Sequence, residues 1–140
     1  MIKTELFKTV SCPIKNSEII KIAKQTAKQE PKLSGRVEIK VIGEEEMKEL
    51  NRQYRRIDQP TDVLSFAWQE DKIIPSALLG QIYICYPVVL AQAQDSQTSV
   101  NKEFSLILIH GLLHLVGYDH YDKKTKNIMF TLQEKIQQSL

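Results

Sequence analysis

FSLILIHGLLHLVGYDH, residues 104–120, decides how the rest of this 140-residue chain is read. Its first thirteen residues are apolar nearly all round and run too long for an ordinary strand. They predict a buried helix from Ser99 to Val116 that forms the spine of a core. The stretch also holds every histidine of the chain: His110, His114 and His120. At about 100° per residue, His110 and His114 lie about 40° apart and one turn along the axis, so two ring nitrogens share one face. His120 falls roughly 120° away from His114 on a continued helix and joins the pair only if the chain turns. Gly117 is placed to make that turn, because glycine enters the left-handed conformation without a Cβ penalty.

Three neutral imidazoles with no obvious fourth protein ligand describe a tetrahedral site with one position left for water, the form of catalytic rather than structural zinc. The plainer alternative is two satisfied core histidines followed by a helix end. A third histidine at the spacing the turn requires, in a chain with no others, favours the metal. H-x-x-x-H-x-x-G-x-x-H is also the frame of zinc peptidases, which place a glutamate after the first histidine as general base. Here that position is Gly111. Glycine inside a helix costs about 1 kcal/mol relative to alanine, so Gly111 should serve either close packing on a sheet or room near the metal. Both readings undermine a metallopeptidase.

Outside this stretch the chain alternates between strand and helix signals. IKTELFKTV (2–10), RVEIKVI (36–42), DVLSFAW (62–68) and QIYICY (81–86) read as strands, with Gly80 just before the last. Ser17–Gln29 carries Ile19, Ile20, Ala23 and Ala27 at helical steps, with Lys21, Lys24 and Lys28 on another face, a solvated stripe or an RNA-facing one. EEEMKELNRQY (44–54) has acids in its first turn, as a helix start should, and ends at a turn through Asp58, Gln59 and Pro60. Pro87 opens a short helix to about Gln94, and Lys123–Ser139 resumes a helical pattern through Ile128, Leu132 and Ile136. The polar QDSQTS, 94–99, is the nearest thing to a linker. The predicted fold class is α+β: one compact domain over 1–140, with a central mixed sheet packed by helices and a zincin-like metal helix.

Composition narrows the class further. With 42% apolar and 26% charged residues the chain is an ordinary globular protein rather than a disordered or fibrous one. The amino terminus lacks a secretory pattern and no apolar run is long enough to span a bilayer, so a cytoplasmic protein is expected. Cys12 and Cys85 lie far apart and give no support to a disulfide framework or a cysteine zinc site. The net charge of +2 is uneven: residues 1–43 carry nine bases against four acids, 44–71 four against eight, and 72–140 six against five. This excludes a strongly polybasic protein but leaves room for a local cationic patch.

HGLLHLVGYDH (110–120), LNRQYRRIDQPTDVLSF (50–66) and LLGQIYI (78–84) together resemble the YbeY family of bacterial metal-dependent endoribonucleases, in the family's order and over essentially the full length. The resemblance implies one zinc ion per chain held by His110, His114 and His120, other divalent metals also being compatible with imidazole. It implies a catalytic arginine at Arg55, and single-stranded RNA as substrate, especially the 3′ end of small-subunit (16S) ribosomal RNA. Ribosome quality control and partnership with the small ribosomal subunit and its proteins follow, with no membrane or DNA partner. Arg55 suits the chemistry, since a guanidinium is always protonated and forks to two phosphate oxygens. Its alternative is a helix-end charge like Arg52 and Arg56. Gln81 stands where the family usually has aspartate, which puts any carboxylate role there in doubt. Asp62 and Asp119 are candidates to orient a histidine or handle a proton, and Tyr118 is read as a packing residue. A ribosome assembly factor whose metal merely pins the loop after Gly117 is the non-enzymatic alternative.

Overall fold

The computed structural model describes residues 1–67, 78–119 and 122–140. Four strands, β1 (Ile2–Lys8), β2 (Gly35–Ile42), β3 (Val63–Ala67) and β4 (Leu78–Cys85), form a sheet in the order β1-β2-β4-β3. β1, β2 and β4 are parallel, and β3 runs antiparallel to β4 along one edge. The helices are α1 (Asn16–Gln29), α2 (Glu44–Arg55), α3 (Tyr86–Asp95), α4 (Val100–Leu115) and α5 (Lys123–Gln138). This is the predicted α+β class with a mixed sheet.

Alternation along the strands separates two faces. Val37, Ile39 and Val41 of β2 and Ile82 and Ile84 of β4 join Phe104, Leu108, Ile109, Leu112 and Leu113 of α4 in the main core. Each such side chain contributes about 1.5–3 kcal/mol when fully buried. α4 touches β3, β4, α1, α3 and α5, which is why it had to be apolar nearly all round. On the opposite face, α2 covers only the β3–β4 end through a small cluster of Ile42, Met47, Leu64 and Cys85. Cys12 and Cys85 are both free thiols.

Several boundaries differ from expectation for identifiable reasons. β1 stops at Lys8 and β4 starts at Leu78, so Gly80 lies inside a strand rather than before it. A Cβ there would stand 2.2 Å from the Phe66 carbonyl oxygen and 2.7 Å from Leu115 Cδ2, so glycine lets β3 and α4 approach. α2 ends at Arg55 and is capped by Arg56, in the left-handed conformation at φ 57°, before the proline turn is reached. On α1 the buried residues are Ile19, Ile22, Ala23 and Thr26, with Ile20 and Ala27 only half-buried. On α5 they are Met129, Gln133 and Ile136, while Ile128 is 51% exposed. Trp68, assigned to the third strand from sequence, and His120 lie outside the described residues. No described helix is long and apolar enough to cross a membrane.

Candidate metal centre and active-site cleft

α4 presents the histidine pair at its carboxyl end, and both ends of the helix are fixed by local chemistry. Ser99 caps the start, its side chain accepting from Lys102 N–H at 3.1 Å. At the other end Gly117, at φ +100°, donates its N–H to His114 O, and Tyr118 donates to Leu113 O, each at 3.1 Å. That is the double closure of a left-handed glycine terminator, as the sequence predicted. Gly111 faces the sheet: a Cβ there would meet Val63 Cγ2 at 3.1 Å, Ser65 Oγ at 3.2 Å and Ile82 Cγ2 at 3.3 Å. The Ser65 hydroxyl donates to Gly111 O at 3.0 Å and ties α4 to edge strand β3. Close packing is therefore the role of this glycine.

His110 Nε2 and His114 Nε2 face each other 3.0 Å apart, with the rings nearly perpendicular at 80°. Gln133 Oε1, from α5, accepts from His110 Nδ1–H at 2.9 Å, which places the proton on Nδ1 and leaves the Nε2 lone pair for another use. His114 Nε2–H can donate across the gap. Equally, two ligands about 2.0–2.1 Å from one tetrahedral ion sit about 3.3 Å apart, so a small ring rotation turns this pair into a chelate. The donor set and the anchored second nitrogen fit a divalent cation. Among the described residues no group of three His, Cys, Asp or Glu side chains gathers to hold one.

A cleft of about 620 Å³ opens in front of the pair, lined by Arg55, Thr61, Asp62, Val63, Leu64, Ser65, His110, His114 and Asp119. The far wall comes from the end of α2 and the loop after it. Buried Asn51 shapes that loop, its side-chain amide donating to Gln59 O at 2.8 Å while its backbone carbonyl accepts from Ile57 N–H. Arg55 is exposed and makes no ion pair among the described residues, whereas Arg52 is engaged by Glu49.

The structure thus brings together Arg55, His110 and His114, with Asp62 and Asp119 in the same cleft. The two aspartates do not orient His110, whose second nitrogen goes to Gln133 instead. Asp62 Oδ1 accepts from Val63 N–H at 2.8 Å and from the Thr61 hydroxyl at 3.4 Å, closing the loop into β3. Gln81 is turned to the opposite face of the sheet and donates to Glu38 at 2.7 Å, away from the cleft. Tyr118 donates its hydroxyl to buried Glu30, holding the turn after α4 to the end of α1. That bond holds the Glu30 carboxyl below its usual range and pushes the Tyr118 phenol up. Gln133 was missed by the sequence reading, although a polar residue between Met129 and Ile136 on a core-facing stripe was the available signal.

Comparison with known proteins agrees with this architecture. The family model for endoribonuclease YbeY matches residues 6–140. An endoribonuclease YbeY from Shouchella clausii is 42% identical over 135 residues, covering 87% of this chain and 84% of its own. One from Malacoplasma penetrans is 38% identical over 109 residues, covering 76% and 73%. A Thermotoga maritima protein solved in solution shares the fold at a TM-score of 0.66 and 31% identity, over 97% of this chain and 87% of its own. This chain belongs to the endoribonuclease YbeY family.

Proposed function

We propose that the cleft between α2 and α4 is where this endoribonuclease cuts single-stranded RNA, with a divalent cation, most naturally zinc, at the histidine pair. The observation that carries the reading is that Arg55 and the convergent Nε2 atoms of His110 and His114 line one open cleft. His110 and His114 would hold the ion through Nε2, with His120 as third ligand. What supports His120 is its covalent bond to Asp119, a residue of the same cleft. A bound ion supplies fixed positive charge to a phosphoryl oxygen and acidifies water.

The chain's own residues do the rest. Arg55 binds the non-bridging oxygens of the scissile phosphate and stabilises the charge that accumulates there. Asp62 and Asp119 are the carboxylates that line the cleft and would handle a proton there, Asp62 also accepting from Val63 N–H. Gln133 keeps His110 in the ligand tautomer. The biological assignment is maturation of the 16S ribosomal RNA 3′ end and ribosome quality control, in the cytoplasm and alongside the small ribosomal subunit and its proteins. It rests on family membership.

Asp119 would also suit a peptidase, but at Gly111, where the peptidase glutamate would stand, a Cβ would crowd Val63, Ser65 and Ile82 at 3.1–3.3 Å, and Arg55 in the lining suits a polyanion better than a peptide. Incubating the purified, zinc-loaded protein with an end-labelled single-stranded RNA carrying the small-subunit 3′ sequence, and with the same sequence as a duplex, tests the assignment. Cleavage of the single strand, abolished by His114→Ala, is expected. Loaded, folded protein that leaves both RNAs intact contradicts it and favours an assembly factor.

A further inference from the structure

The sheet face turned away from α4 carries a row of rings and one ammonium that the cleft does not use. Phe7 on β1 pairs in register with Lys40 on β2, and Lys40 with Tyr83 on β4, so all three side chains leave the same face. Lys40 Nζ stands 5.6 Å from the Phe7 ring centroid and 5.3 Å from that of Tyr83. Phe66 on β3 meets Tyr83 edge-on at 5.8 Å, and Tyr54 at the end of α2 meets Phe66 at 5.0 Å. The row crosses all four strands. Phe7 is 45% and Tyr54 63% exposed, while Phe66 and Tyr83 between them are half-buried against the cluster under α2, so the row is open at its two ends and partly accessible between them. Nearby carboxylates are already engaged, Glu5 by Arg36 at 3.1 Å and Glu38 by Gln81.

We infer that this face is a second binding surface for the same single-stranded RNA, an extended stacking platform that leads unpaired bases toward the cleft around edge strand β3. The inference rests on the endoribonuclease reading. Continuity with the cleft supports it: Tyr54 precedes Arg55 on the same helix end, and Ser65 lines the cleft while the next residue, Phe66, lies on the platform. Consecutive residues of a strand face opposite sides, so β3 is the wall between the two surfaces. Three strand gaps make a row about 14 Å wide, and an open sheet with aromatic rings takes two or three unpaired bases. Lys40, fixed over two rings, offers a pre-placed charge to a phosphate between stacked bases. Rings accept any base, so the platform lengthens the grip on a strand without dictating its sequence.

Fluorescence anisotropy with oligouridylates of three and twelve nucleotides, on wild type, Phe7→Ala, Lys40→Gln and Tyr54→Ala, separates platform from cleft. The twelve-nucleotide RNA should lose about five- to a hundredfold in affinity in each ring variant. The trinucleotide, short enough for the cleft alone, should change less than twofold. Circular dichroism identifies any variant that has lost its fold, and the three substitutions sit on three different elements. Equal loss for both lengths, or none for either, overturns the platform and leaves the endoribonuclease reading standing. A length-dependent loss in a protein that cleaves no RNA keeps the platform and removes the catalytic reading instead. Loss of binding to a ribosomal protein with RNA affinity intact assigns the face to a protein partner and overturns the proposal.

Discussion

His110 Nδ1 and Gln133 Oε1 meet at 2.9 Å across twenty-three residues of chain, and this bond fixes which nitrogen of the ring points into the cleft. Gln133 is buried, 6% exposed, so water does not compete for the acceptor. Gln133→Leu removes it and should weaken zinc affinity about 10- to 100-fold, while Gln133→Glu, which keeps an acceptor, should retain most of the affinity. Chelator competition on the two variants measures this. Unchanged zinc affinity in the leucine variant would mean that something else orients the ring.

Gly111 is expected to tolerate no glutamate. Its Cβ alone would press on Val63, Ser65 and Ile82 at 3.1–3.3 Å, and overpacking of this kind costs about 1–3 kcal/mol before any carboxylate is desolvated. Gly111→Glu should melt several degrees below wild type and hydrolyse no peptide. A variant with wild-type thermal stability would show that α4 has room against β3 and β4 that the contact distances deny.

The Tyr118–Glu30 bond makes a pH-dependent contribution to stability. The Tyr118 hydroxyl, with lesser help from Lys32, holds the Glu30 carboxyl below its ordinary 4.5. The contribution is therefore full above about pH 4.5 and is lost as pH falls through the lower folded value. Tyr118→Phe should destabilise the protein at pH 7 by about 1.5–3 kcal/mol, the range for hydrogen bonds to charged groups, and the deficit should shrink in acid. Urea titrations at pH 7 and in acid read the difference directly. A deficit constant across that range contradicts the assignment.

Much of the site is legible in the sequence because its determinants are local. An i, i+4 histidine pair on an all-round apolar helix and a glycine just past its end are statements about a few neighbouring residues, and the apolar pattern over Ser99–Val116 matches α4, Val100–Leu115, to one residue at each end. The remainder depends on distant contacts. Gln133 breaks the apolar stripe of α5, so periodicity assigns the stripe to Ile128, whereas the stripe that faces the core includes the glutamine because a histidine waits there. Gly80 reads as punctuation, but its role is set by Phe66 and Leu115 from two other elements. Arg56 ends α2 in a conformation that arginine rarely adopts, and nothing in its neighbours' propensities announces it. The sheet order, with β4 inserted between β2 and β3, is likewise a tertiary fact.

The central claim is that one cleft joins a histidine-held cation to Arg55 for cleavage of RNA. Its most direct test is the rate of single-stranded RNA cleavage by Arg55→Ala at zinc content and circular dichroism matched to wild type. A fall of about 10²–10³ is predicted, the cost of removing one charge-stabilising donor from a transition state, with Arg55→Lys recovering only part of it. Cleavage at the wild-type rate by the loaded Arg55→Ala protein would contradict the account.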